Sequence, residues 1–335
     1  MKNIHDLLNR PIKDLRISVM DTCNYRCPYC MPADKFDDNY QFLKPNERLD
    51  FGEIIRLVKI FADFGVNKIR LTGGEPLLRK NLAALIAEIK DINGIKDIAL
   101  TTNGQLLQKQ LPQLIAAGLD RVNISLDTID HELYHQMSGK KGDLQTVLDA
   151  IDFASASRLK SVKLNCVVQK GINDKHILPL LEKYQNSPVV VRFIEYMDVG
   201  NKNQWHKNQV LSFKEIHQII QQKWAIQALE SNYVGEVAAR YKYQDFAGEI
   251  GFITSISQPF CRDCSRARLS ADGKLYTCLF ASQSFDLRSL LRHEDDKYLK
   301  NYIMQVWQNR DDRYSEIRHE LKDKKEKIEM YVIGG

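Results

Sequence analysis

Cys23-Asn-Tyr-Arg-Cys27-Pro-Tyr29-Cys30 is a C-x3-C-x2-C run. It follows Leu15-Arg-Ile-Ser-Val-Met20, an apolar-alternating segment that reads as a strand running into a loop. Three thiolates packed so closely make a soft-ligand site, suited to zinc or an iron–sulfur cluster. A closed site of either kind takes four protein ligands. Here no fourth cysteine lies nearby, and the flanking histidines are as distant as His5 and His131. The run therefore implies a metal centre with one open coordination position, where a substrate or cofactor can bind. A zinc knuckle borrowing a remote fourth ligand is the competing reading.

The chain has 335 residues, enough for one large α/β domain or one domain with an appendage. It lacks an apolar run long enough to span a bilayer, and its start lacks the apolar core of a secretory signal. Seven cysteines form two tight groups plus a lone Cys166, an odd count without a disulfide framework. That usage points to metal sites in a reducing, cytoplasmic compartment. Cys166 reads as a small buried hydrophobe. The net charge of +5 permits an anionic ligand without demanding nucleic acid.

Periodicity predicts strands at 15–20, 67–72, 97–102, 121–126, 161–168 and 189–196. A helix opens at Asp50, with Glu53 completing a capping box, and closes at Gly65. Further helices fall at 80–91, 106–117, 143–157 and 174–186. Residues 1–200 thus read as an α/β domain, an all-parallel (β/α)6 barrel of the TIM type left incomplete. Residues 201–335 read as an α+β extension completing the open side. Barrel chemistry belongs on loops after strand ends. The cysteine run, Gly73-Gly74-Glu75-Pro76, Thr101-Thr102-Asn103-Gly104, Ser125-Leu126-Asp127 and Met197-Asp-Val-Gly200 all fall there.

Covered parallel strands should be continuous apolar runs, yet Arg16, Lys68, Arg70, Lys163 and Arg192 interrupt these. Buried cations are costly unless paired, and Glu195 is one of few carboxylates on the same strands. The set is expected to face an anionic ligand in the barrel mouth. Solvent exposure at strand starts is the alternative for Lys68 and Lys163.

Beyond residue 200 the rhythm changes. Ser212 and Glu215 form a capping box, residues 232–256 alternate like antiparallel strands, and Asp272-Gly273 turns a hairpin. Around that hairpin lie Cys261, Cys264 and Cys278, spaced C-x2-C-x13-C, again without a near fourth ligand. Either zinc or a second cluster with an open iron fits. Arg266 and Arg268 alternate onto one strand face, and arginine forks suit phosphate oxygens.

The first cysteine run, with its aromatic before the last Cys, resembles the signature of the radical S-adenosylmethionine (SAM) superfamily. Over its length, including terminal Gly334-Gly335, the chain resembles the GTP 3',8-cyclase family of molybdenum cofactor biosynthesis. The resemblance implies two [4Fe-4S] clusters, on Cys23, Cys27 and Cys30 and on Cys261, Cys264 and Cys278. It implies SAM contacts at Tyr29, Gly74, Ser125 and Met197. It implies GTP contacts at Arg16, Lys68, Arg70, Thr101, Lys163, Arg192, Arg266 and Arg268, the last two catalytic beside the first cysteine trio. Both trios are expected to open onto a common chamber, with the glycine tail entering its mouth. The family further implies a homodimer, a flavodoxin-type electron donor and hand-over of product to cyclic pyranopterin monophosphate synthase, with neither membrane nor nucleic acid as partner. The rivals are a radical SAM peptide-modifying enzyme, which usually carries more cysteines, and a zinc nucleic-acid-binding module. The second lacks a basic helix face and a stacking platform.

Overall fold

The structure, a computed structural model, describes residues 4–320 and 326–334. Its elements in chain order are β1 (Asp14–Met20), α1 (Phe51–Asp63), β2 (Lys68–Gly73), α2 (Leu82–Lys90), β3 (Asp97–Thr102), α3 (Leu107–Ala116), β4 (Arg121–Ser125), α4 (His131–Met137), α5 (Leu144–Ser155), β5 (Ser161–Val168), α6 (Ile177–Tyr184) and β6 (Val190–Glu195). The second half adds α7 (Phe213–Gln221), β7 (Ile226–Leu229), β8 (Ala239–Tyr243), β9 (Glu249–Ile253), β10 (Arg266–Leu269), β11 (Lys274–Tyr276), β12 (Phe285–Asp286), α8 (Arg288–His293), α9 (Asp296–Gln308), α10 (Tyr314–Ile317) and α11 (Met330–Ile333).

Local sequence explains the helices. In α1 the Asp50 carboxylate accepts from the Glu53 amide at 2.7 Å, and the Glu53 carboxylate accepts from the Asp50 amide at 2.9 Å. Its buried stripe, including Ile54, Leu57, Val58 and Phe61, packs inward, each side chain contributing about 2 kcal/mol. The Ser212–Glu215 box opens α7 in the same way. The short α4 lies before the expected 143–157 helix; its signal was Asp130, whose carboxylate caps the Leu133 amide.

All strands among the described residues join one twelve-stranded sheet, ordered β12-β11-β10-β1-β2-β3-β4-β5-β6-β9-β8-β7. The six central strands pair in parallel as periodicity predicts. The antiparallel reading of 232–256 holds between β8 and β9, β7 just before that stretch also pairs antiparallel with β8, and the hairpin pairs β10 with β11. Yet β9 also lies parallel to β6, and β10 parallel to β1. The C-terminal half thus adds a parallel strand at each edge of the six, and the sheet stays open. Alternation cannot reveal this, because it says nothing of which distant strand becomes the neighbour.

Helix-facing strand positions are apolar and buried, as at Leu15, Ile17, Ile69, Leu71, Val122, Ile124, Leu164 and Phe193. The alternate positions carry the cations inward. Arg16 is in register with Arg70 on one side and Arg268 on the other, so three guanidiniums lie abreast. Asp14 is in register with Lys68 and Arg266. No helix among the described residues is long and apolar enough to cross a membrane.

Candidate active site

The first trio lies in the loop after β1. Cys27 O accepts from the amides of Cys30 at 3.0 Å and Met31 at 2.9 Å, which folds the loop on itself. Arg26 pins it by donating to the carbonyls of Cys23, Tyr25 and Phe36, each at 2.8 Å. Burial, then the neighbouring thiols Cys30 and Cys23, raise the Cys27 thiol; burial and Glu75 push Cys23 up to about 11. Such mutually repelling groups fit a cationic centre between them.

The Gly-Gly-Glu-Pro turn abuts this loop. Gly74 N donates to Met20 O at 2.7 Å and Glu75 N to Thr22 O at 2.9 Å. The Glu75 carboxylate, pushed up to about 7 by burial, accepts from the Leu77 and Asn103 amides and the Thr102 hydroxyl. Tyr29 donates to Asp127 at 2.7 Å, tying the cysteine loop to the end of β4, where Ser125 sits. Met197 follows β6. The four residues expected at SAM therefore sit around the C-terminal rim of the parallel strands.

The second trio occupies the other end. Cys261 and Cys264 precede β10, and Cys278 follows β11. Since β10 and β1 run parallel, one trio stands before the start of its strand and the other beyond the end of its neighbour. A seven-residue strand separates such ends by roughly 20 Å. Burial raises the Cys264 thiol, but Arg266 and Arg310 outweigh it and bring it down to about 6. Both guanidiniums donate to its sulfur at 3.2 Å. Among the described residues, no three Cys, His, Asp or Glu side chains gather closely enough for a single metal ion. An iron–sulfur cage makes no such demand, because each thiolate binds a separate iron.

Between the two ends lies a cavity of about 360 Å³. It is lined by the second trio and by Arg16, Lys68, Arg70, Thr101, Lys163, Arg192, Arg266 and Arg268, all eight expected GTP contacts. Ten Lys and Arg residues face three carboxylates there (Asp14, Glu236 and Asp312), so the wall has a large positive excess. Buried Nε atoms of Arg16, Arg70 and Arg192, and Nη1 of Arg266, have no hydrogen-bond partner among the described atoms. Burial, then neighbouring cations, bring Arg192 down to about 9 and Lys163 to about 8. Glu195 does not relieve them: its carboxylate accepts from the backbone amides of Phe213, Ile256 and Ser257. Orphaned donors in a crowded cationic wall fit a polyanion.

Two expectations need correction. The cations lie in the first half of their strands, inside the barrel, and not at the loop-bearing mouth. The first trio does not line this cavity. Helix α11 stands between: Tyr331 packs with Met31 and Phe36 in a group that Cys23 and Cys30 also touch, while Met330 lines the cavity. Arg268 donates to the carbonyls of Ile333 and Gly334, and Gly334 lies too close to Thr72 for any side chain. Gly335 lies outside the described residues.

Residues 17–184 match the Radical SAM superfamily and residues 189–316 match Molybdenum Cofactor Synthesis C. The GTP 3',8-cyclase of Xanthomonas axonopodis pv. citri (strain 306) is 47% identical over 99% of both chains. That of Staphylococcus aureus (strain Mu3 / ATCC 700698) is 47% identical over the whole of both. The chain belongs to the GTP 3',8-cyclase family. A crystal structure of Streptococcus suis SuiB bound to S-adenosylmethionine aligns with 95% of this chain and 68% of its own. With a TM-score of 0.56 and 16% identity, it attests the shared fold alone.

Several polar residues of this cyclase-family site escaped the sequence reading. Asn123 accepts from Arg192 at 2.6 Å and stands next to Thr101, and Asn165 lines the cavity. Their signal was the same alternation, two positions after Arg121 and Lys163. Arg310 had no motif to mark it.

Proposed function

We propose that this protein converts GTP to (8S)-3',8-cyclo-7,8-dihydroguanosine 5'-triphosphate, as a radical SAM lyase at the start of molybdenum cofactor biosynthesis. The observation that carries the reading is the cationic cavity beside the second cysteine trio, in a chain 47% identical end to end to GTP 3',8-cyclases. Cys23, Cys27 and Cys30 would hold one [4Fe-4S] cluster and Cys261, Cys264 and Cys278 the other. When bound, the first cluster with SAM supplies the 5'-deoxyadenosyl radical that removes hydrogen from C3' of GTP before C3' bonds to C8.

The protein's own residues bind, orient and exclude water. The backbone at Gly74 and Tyr29, with Ser125 and Met197, would seat SAM on the C-terminal rim. The abreast row Arg268–Arg16–Arg70 and the inward Lys68, Lys163, Arg192 and Arg266 would grip the triphosphate, with Thr101 contributing a hydroxyl. That leaves the base toward the second trio. Met197, expected at SAM, also lines the cavity, and holding the ribose rigidly on that side is the positioning that would lower the barrier. A homodimer, a flavodoxin-type donor and passage of product to cyclic pyranopterin monophosphate synthase belong to the same proposal, as does division into residues 1–200 and 201–335.

Anaerobic incubation of the reconstituted protein with GTP, SAM and a reductant should yield 5'-deoxyadenosine and a cyclised nucleotide in equal amounts. SAM cleavage without the GTP-derived product would refute the substrate, and would favour a peptide-modifying enzyme.

The Lys163 ammonium adds a pH signature. The free protein loses this charge as pH rises through about 8, whereas a bound polyanion retains it. GTP affinity should therefore fall above pH 8, and Lys163→Arg should remove the part of the fall that begins near 8, leaving the part that Arg192 contributes near 9. The effect on stability has the opposite sign. Between about 8 and the ordinary 10.5 the unfolded chain holds the proton and the folded chain does not, so stability gains as pH climbs. Calorimetric titration at pH 7, 8 and 9 reads the binding arm.

A further inference from the structure

The two segments that bear the second trio are stitched together by two arginines sharing one buried carboxylate. Arg10 Nη1 donates to Cys261 O at 2.8 Å. Arg310 Nη1 donates to Cys264 O at 2.8 Å, and its Nε to Thr277 O, next to Cys278, at 3.1 Å. Arg310 Nη2 reaches the Cys264 sulfur itself. Asp6 bridges the pair, at 2.6 Å from Arg10 Nε and 3.0 Å from Arg310 Nη1. All three side chains are at least 98% buried, and the Arg310 guanidinium lies 4.6 Å from the Trp307 ring centre.

This arrangement exceeds what folding the segment needs. Backbone carbonyls alone would hold the loops, whereas one fork of Arg310 is aimed at a ligand sulfur. We propose that Arg310, held in place by Asp6, is a positioning residue of the second cysteine trio that raises the reduction potential of the cluster carried there. The inference rests on the reading of that trio as a cluster site. The physical cause is general: reduction adds negative charge to the cage and its sulfurs, and a donated N–H from a buried cation favours the more negative state. Burial keeps solvent ions from screening it. Asp6 acts in the opposite sense through its own charge, while fixing the two forks.

The test is a potentiometric titration of the anaerobically reconstituted full-length protein, followed by electron paramagnetic resonance. A Cys23→Ala/Cys27→Ala/Cys30→Ala variant identifies the signal of the second cluster. Arg310→Gln removes the charge and the sulfur contact; its potential should shift negative by at least 59 mV, a tenfold change for a one-electron couple. Asp6→Asn keeps the shape and removes a negative charge, so its shift should be positive. Opposite shifts support the role, since a merely structural defect would not change sign between the two. Retained iron with no shift, or shifts of the same sign, overturns it. Arg310→Lys is measured if Arg310→Gln takes up no second cluster; loss of that iron in both also overturns the tuning role. The underlying reading fails separately, if the wild-type protein binds only about four irons and the first-trio variant none.

Discussion

Gly74→Ala abolishes SAM cleavage, by ~100-fold or more, while GTP binding in the cavity persists. A methyl group at this position would stand 2.4 Å from Thr22 O, 2.6 Å from Thr22 C and 2.7 Å from Asp21 O. Each of these is backbone, so none can swing aside. They belong to the chain as it leaves β1 for Cys23, and the turn is fastened there by the Gly74–Met20 and Glu75–Thr22 hydrogen bonds. Relief requires the turn and the cysteine loop to separate, at a cost of about 1–3 kcal/mol in stability. The larger loss is geometric, because a displacement near 1 Å at a reacting centre costs on the order of 100-fold in rate. The measurement is 5'-deoxyadenosine formed per first-cluster iron, alongside GTP affinity. Wild-type SAM cleavage by Gly74→Ala would detach this turn from the SAM site.

Arg16→Met and Arg70→Met each weaken GTP binding by about 10- to 100-fold and raise the melting temperature of the ligand-free protein. Both effects share one origin. These guanidiniums lie in register on neighbouring strands, half-buried, each with a buried Nε that lacks a partner among the described atoms. Burial and then adjacent cations bring Arg16 well down from its ordinary value, and burial brings down Arg70. Without a ligand the crowded cations of this wall repel, with Asp14 as a counter-charge shared among them, so a shape-matched apolar side chain relieves the fold. With GTP bound, each supplies charge-assisted hydrogen bonds of about 1.5–3 kcal/mol, which is the stated loss in affinity. Calorimetry reads the affinities, and thermal unfolding with and without GTP reads the stabilities. Affinity within twofold of wild type would remove these arginines from the phosphate site.

Much of this was legible because it is local. The C-x3-C-x2-C spacing needs a few consecutive residues, and strand alternation needs only the neighbours at i and i+2. The six central strands were therefore placed to within a residue, and cations at alternate positions announced a polar interior. Asn123 and Asn165 carried the same signal and were overlooked. Glu195 misled in a different way: its charge is spent on three amides that approach from α7 and the loop after β9.

The sequence by itself determined the two cysteine trios, the period of the strands, the helix caps and the inward arginines, because each depends on contacts within a few residues. Only the tertiary structure decided that β9 and β10 flank the six central strands, that the trios stand at opposite ends of neighbouring strands, and that α11 lies between them. It alone joined Arg10, Asp6 and Arg310 around the second trio. The physical reason is that strand direction and register against a distant partner follow from burying the whole sheet at once. No local pattern encodes that choice.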